Sequence, residues 1–156
     1  MMKRRLLIQA LAGLAGAGLV APGLMAQTKP QVEVWKDPSC GCCKDWVKHL
    51  EANGFQVKVN DSGSNAARTR LGVPEKLGSC HTALVAGYAI EGHVPAKDMQ
   101  RLLKERPKVI GLTVPGMVVG SPGMDGPDYK GRKDPFDVLL INADGSTRVY
   151  QSYNRA

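Results

Sequence analysis

The chain has 156 residues, with 21 Lys and Arg against 14 Asp and Glu for a formal net charge of +7 at pH 7, four cysteines, two tryptophans and two phenylalanines. Residues 1–26 hold three basic and no acidic residues, so without them the 21 basic groups become 18 against the same 14, a net +4. A surplus that small, with no basic run beyond Lys130-Gly131-Arg132-Lys133, excludes a nucleic-acid footprint, and so few aromatics leave the core to Val, Leu and Ile.

The first predicted element in chain order is not part of the fold. Lys3, Arg4 and Arg5 give a positive start, residues 6–20 form an apolar run broken by small residues, and Leu24-Met25-Ala26 offers a cleavage site before Gln27. The run falls short of the roughly 20 apolar residues of a comfortable membrane span. Residues 1–26 are therefore expected to be a cleaved export signal peptide, the alternative being an uncleaved N-terminal anchor, and to use the general route or, through Arg4-Arg5, the twin-arginine route. That implies a periplasmic protein with no stable membrane anchor after cleavage. The remainder, residues 27–156, is the size of one domain with one core.

Residues 31–35 alternate and are rich in Val, which predicts a first strand running toward Cys40. After Pro38-Ser39, the residues Cys43, Trp46, Val47 and Leu50 recur at helical spacing until Asn53-Gly54 stops the pattern. Residues 55–59 read as a second strand and residues 64–71 as a short polar helix, an order that favours a partly parallel sheet. Two apolar runs, residues 82–85 and 88–91, flank Ala86-Gly87 as a hairpin. Pro95 then opens a helix whose buried stripe is Met99, Leu102 and Leu103. Residues 111–133, dense in Gly and Pro, are predicted to be a long irregular loop, which in a compact domain is usually functional or mobile. Residues 136–141 and 147–153, joined through Asn142-Ala143-Asp144-Gly145, close the chain as a second hairpin. The predicted class is α/β: a mixed sheet flanked by helices, with a C-terminal β-hairpin.

Cys40-Gly41-Cys42-Cys43 falls where the first strand hands over to the first helix. The C-x-x-C spacing lets Cys40 and Cys43 reach one face of the first helical turn, where unpaired N–H groups and the helix dipole favour thiolate, and Lys44 adds positive charge. Thiolate is both a redox nucleophile and a soft-metal ligand, so the spacing leaves both chemistries open. Cys42 supplies a third sulfur, and the adjacent Cys42 and Cys43 pair only with strain. Cys80 and His81 arrive just before the third strand and are placed to face the cluster, a combination that copper and zinc sites use. In an oxidising compartment four cysteines also allow two disulfides, including a structural bond from Cys80 to the cluster. His93 is placed either to reach the cluster or to face solvent, and His49 is expected to be solvated. Met117 and Met124 offer thioethers suited to copper(I), or else an apolar lid over the sheet.

The strand, C-x-x-C and helix, followed by the hairpin over residues 82–92 and a further helix, resemble the thioredoxin and glutaredoxin fold. In that fold a cis-proline precedes a threonine at the start of the hairpin, whereas here His81 precedes Thr82. The resemblance implies that the missing proline helps to keep metals from the dithiol. More closely, the chain resembles a family of small exported proteins long described as a domain of unknown function, number four-one-one, and as metal-binding. The matching stretches are Pro38-Ser39-Cys40-Gly41-Cys42-Cys43, Ser79-Cys80-His81-Thr82, Glu91-Gly92-His93-Val94-Pro95, Val114-Pro115-Gly116-Met117 and Gly120-Ser121-Pro122-Gly123-Met124. The resemblance implies metal binding and supplies no established reaction.

Two functional readings result. The first is a periplasmic copper(I)-binding protein for copper sequestration or transfer, with a copper donor or acceptor protein as partner. Its ligands are Cys40, Cys42, Cys43 and Cys80, with His81, His93, Met117 and Met124 as further donors. The two thioethers favour copper(I) over zinc, which seldom uses them. The alternative is a thiol–disulfide oxidoreductase with Cys40 as nucleophile and Cys43 as resolving thiol.

Overall fold

The computed structural model describes residues 28–155, so the export signal expected over residues 1–26 lies outside the described residues. The first strand, β1 (Gln31–Lys36), buries Val32 and Val34 on one face through its period of two. Helix α1 (Gly41–Ala52) follows a turn in which the Asp37 carboxylate accepts the Ser39 N–H at 2.8 Å. It buries Cys43, Trp46 and Leu50, one stripe at helical spacing. The chain then runs through β2 (Gln56–Asn60), α2 (Asn65–Arg70), the hairpin β3 (His81–Val85) and β4 (Tyr88–Glu91), and α3 (Ala96–Glu105). Pro95 sits just before α3, Met99 and Leu102 are fully buried on it, and Arg106 ends it in a left-handed conformation.

One part of the expected irregular segment is ordered differently. Within residues 111–133 the chain forms a three-residue strand, β5 (Gly111–Thr113), and one 3₁₀ turn (Pro127–Tyr129). A strand of three residues that starts with glycine has no alternation to read, and its pairing comes from distant partners. On one side it runs parallel to β4, with Ile90 opposite Leu112, and on the other antiparallel to β6 (Phe136–Ile141), with Leu140 opposite Leu112. It thereby joins the N-terminal half to the closing hairpin of β6 and β7 (Thr147–Tyr153) in one seven-stranded sheet, ordered β2-β1-β3-β4-β5-β6-β7. The pairs β1–β2 and β4–β5 are parallel and the others antiparallel.

Both faces of this sheet are covered. Ile90 and Leu140 belong to the larger core cluster with Trp46, Leu50, Met99 and Leu102 from α1 and α3. Their chain neighbours Ala89 and Ile141 pack instead with Val73 and Leu77, in the connection between α2 and β3. Alternation along a strand puts adjacent residues on opposite faces, so α1 and α3 share one face while the α2 side covers the other. No helix among the described residues is long and apolar enough to cross a membrane. The ends of α1, β3 and β4 meet at one margin of the sheet, where the cysteines and two histidines gather.

Candidate metal centre

Cys40 is the last extended residue before α1 and Cys43 lies in the helix's first turn. With their Cα atoms 5.4 Å apart, the two are joined as a disulfide. Cys42 and Cys80 are free thiols, both half-buried. The Cys42 sulfur lies 3.5 Å from that of Cys40 and 3.8 Å from that of Cys80. Cys43 is fully buried, with its sulfur 3.7 Å from the Cys80 carbonyl oxygen. All four sulfurs lie within 4.8 Å of one another. Of the pairings left open by the sequence the chain adopts the one inside the C-x-x-C, and the bond from Cys80 to the cluster is not formed.

Cys80 also faces two imidazoles, at 3.3 Å from His81 Nδ1 and 3.1 Å from His93 Nε2. Both histidines are fully buried, so of the two placements open to His93 it takes the one against the cluster. A 2.7 Å contact to the Pro122 carbonyl fixes its tautomer, because a carbonyl only accepts: Nδ1 carries the proton and Nε2 turns a lone pair toward Cys80. His81 is held between rings, 4.3 Å from Trp46 and 5.1 Å from His93, while the Trp46 indole N–H is anchored on the Val94 carbonyl at 2.9 Å. Its Nε2 is buried without a hydrogen-bond partner, an unusual cost for a polar atom.

The electrostatics favour ligands over charges. Burial, together with the neighbouring His93, holds His81 well below the ordinary imidazole value, and burial also lowers His93. Both are neutral at pH 7, the form in which imidazole binds metals. Burial, reinforced by the nearby Cys42, pushes the Cys80 thiol up to about 12, so without a cation beside it Cys80 keeps its proton.

The Gly/Pro-rich loop closes over α1. Gly123 has φ +86°, and a Cβ there would lie 2.6 Å from the Cys42 carbonyl oxygen and 2.8 Å from the Trp46 nitrogen. Only glycine lets the loop settle this close to the first turn of the helix, and Pro122 reaches His93 from that position. The two methionines differ. Met124 is buried and its sulfur accepts the Tyr129 hydroxyl at 3.2 Å, whereas Met117 is 58% exposed. Tyr129 and Cys42 line one surface cleft with Asp45, Asp125 and Asp128. His49, expected to be solvated, is half-buried instead: its Nε2 accepts the Ala96 N–H at 3.1 Å and so caps the start of α3. The packing of α1 against α3 produces that contact, and local spacing does not contain it. The Pro122 carbonyl was likewise invisible to motif reading, since only the Gly-Ser-Pro-Gly-Met stretch marks its place.

Fold and donor set together define a small α/β protein with a cysteine- and histidine-lined site of soft-metal character. A family model described as "Protein of unknown function, DUF411" matches residues 77–124, a span that holds Cys80, His81, His93, Met117 and Met124. Two solved structures, forms 1 and 2 of copper resistance protein CopG, superimpose with a TM-score of 0.73 at 46% sequence identity, covering 80% of this chain and 98% of theirs. The chain belongs to this family. No curated protein matches it.

Proposed function

We propose that the protein is a periplasmic copper(I)-binding protein that sequesters the ion or passes it to a partner protein, on a thioredoxin-like frame. The observation that carries this reading is the sharing of Cys80: its sulfur belongs both to the four-sulfur group and to the group formed with His81 and His93. Thiolate and neutral imidazole together suit copper(I) and zinc, and the similarity to copper resistance protein CopG favours copper. His93, with Nδ1 donating to the Pro122 carbonyl and the Nε2 lone pair turned toward Cys80, and His81, whose Nδ1 faces the same sulfur, are oriented as metal-binding imidazoles are. Export to the periplasm rests on the pattern of residues 1–26.

Cys40, Cys42, Cys43 and Cys80 are the candidate thiolate ligands, with His81 and His93 as additional or supporting partners, and Met124 and Met117 would be secondary thioether donors. The disulfide sets a condition. Two electrons and two protons must first convert it to the Cys40 and Cys43 thiols, so oxidised protein offers only Cys42 and Cys80 as thiols. Each thiol that becomes a ligand then gives up its proton to solvent.

Metal analysis of protein purified anaerobically from the periplasm, followed by competition with a copper(I) chelator, tests the reading. Copper should be the bound metal and should outlast zinc under competition. A second reading, thiol–disulfide exchange, is favoured by the Cys40–Cys43 disulfide at the start of α1, with Cys40 half-exposed and Cys43 buried. Loss of all copper to a weak chelator, combined with efficient reduction of insulin disulfides, would select that reading instead.

A further inference from the structure

Cys80 lies outside any regular element, one residue before β3, so its position depends on what holds the chain beside it. The preceding residue, Ser79, is held at both of its main-chain polar groups. Its N–H donates to Glu91 Oε1 at 2.6 Å, and its carbonyl accepts Arg68 Nη2 at 2.6 Å. The two side chains grip each other as well: Arg68 Nε and Nη2 lie 2.9 and 2.8 Å from the same Glu91 oxygen. Glu91 Oε2 accepts the Thr82 hydroxyl at 2.6 Å, next to His81. Arg68 is steadied by Ser64 Oγ at 3.1 Å and Asn65 Oδ1 at 2.9 Å, at the start of α2. Gly92, at φ +68°, leaves room for this arrangement, since a Cβ there would lie 2.6 Å from the Ser79 Cβ.

Glu91 is fully buried and the Arg68 side chain is 13% exposed. A buried ion pair of this kind contributes little net stability, because desolvation offsets most of the Coulomb gain. Its geometric effect is specific. One carboxylate touches the residue before Cys80 and the residue after His81, and it stands two residues before His93. Cys80, His81 and His93 are thus referred to one rigid group. Arg suits this task and Lys does not, because only the planar guanidinium spans a carboxylate and a carbonyl at once.

We propose that Arg68 and Glu91 are positioning residues for the site: by gripping the main chain of Ser79 they hold the Cys80 sulfur between Cys42 and the two imidazoles, and so set its copper(I) affinity. The affinity half of this proposal rests on the reading of Cys80 as a ligand, whereas the positional half does not. In oxidised Cys42→Ser protein Cys80 is the single free thiol, and its rate of alkylation by iodoacetamide reports its mobility directly. Adding Arg68→Gln should raise that rate by about tenfold or more. Arg68→Lys, which keeps the charge and guards against a folding failure of the first variant, should raise it nearly as much. In the reduced protein with all four cysteines, each substitution should lower copper(I) affinity by about 10- to 100-fold, the usual cost of losing an outer support. Unchanged alkylation in both variants would overturn the clamp. Full rescue by Lys would reduce it to a simple ion pair and overturn it equally. Faster alkylation with unchanged copper affinity would overturn the link to the metal, and wild-type protein that binds no copper would count against the functional reading while alkylation still judges the clamp.

Discussion

Cys40, Cys42 and Cys43 come from the start of α1, whereas Cys80, His81 and His93 are gathered from the bend before β3, the first residue of β3 and the bend after β4, and are kept in place by Arg68, Glu91 and the Pro122 carbonyl. The first group is local: a strand end, two turn residues and a helix start suffice to bring its sulfurs together. The second is assembled by long-range contacts, each of which costs conformational entropy that packing must offset. The comparison teaches where the site can be tuned. Changes in the helical turn alter which ligands are present, while changes around Cys80 alter how well the ligands already present are aligned.

The largest effect should come from the residue the two groups share. Cys80→Ser should weaken copper(I) binding more than hundredfold in a chelator competition, exceeding the about 10- to 100-fold typical of outer supports. A smaller loss than that from His93→Ala would show that the two groups act separately. The dependence on pH should be nearly as steep. Because the Cys80 thiol is pushed up to about 12, copper must displace its proton, so affinity falls as pH falls. Between about pH 8 and pH 6 each thiol proton displaced lowers apparent affinity by up to about a hundredfold, with Cys80 contributing the full factor. His81 and His93, both lowered from 6.5 by burial, add no competing proton over most of that range. A flat pH profile would mean that Cys80 is not a ligand.

The same comparison explains what could be read from the residues in advance. The helical-turn half was legible because C-x-x-C spacing, turn residues and a 3.6 period are local signals. Both hairpins and α3 were legible for the same reason, with Ala86-Gly87, Pro95 and Asn142-Ala143-Asp144-Gly145 marking their limits. Strand β5 was not, because its three residues are ordered by β4 and β6 rather than by their own pattern. Arg68 falls within residues 64–71, which read as a short polar helix, and nothing in its neighbourhood along the chain points to Glu91, 23 residues away. Cys80-His81 and His93 were recognisable as donor types, yet the Pro122 carbonyl that selects the His93 tautomer is 29 residues distant. Side-chain chemistry is carried by the sequence at each position, and alignment between positions is carried by the fold.

Two substitutions sharpen the comparison at lower amplitude. Gly123→Ala would drive the loop off α1, since its Cβ has backbone within 3 Å, and would withdraw Pro122 from His93. Copper affinity should drop about tenfold with the four thiols untouched, as expected for an outer support. Free-thiol counting on the reduced variant would confirm that only alignment changed. Met117→Leu removes an exposed thioether and should change affinity less than about twofold, with Met124→Leu intermediate because its sulfur is buried against Tyr129. A loss from Met117→Leu as large as that from Cys40→Ser would move the site's centre into the loop.

The central claim is that the thiols of the helical turn and the Cys80 group act as one copper(I) site, which the Cys40–Cys43 disulfide closes. Its most direct test is an anaerobic copper(I) titration of the same protein before and after reduction of that disulfide, against a fixed concentration of a chromogenic copper(I) chelator. The account predicts that reduction raises affinity by at least about tenfold, as two thiol ligands become available, and that reoxidation reverses the gain. Equal affinity in the two redox states would contradict it.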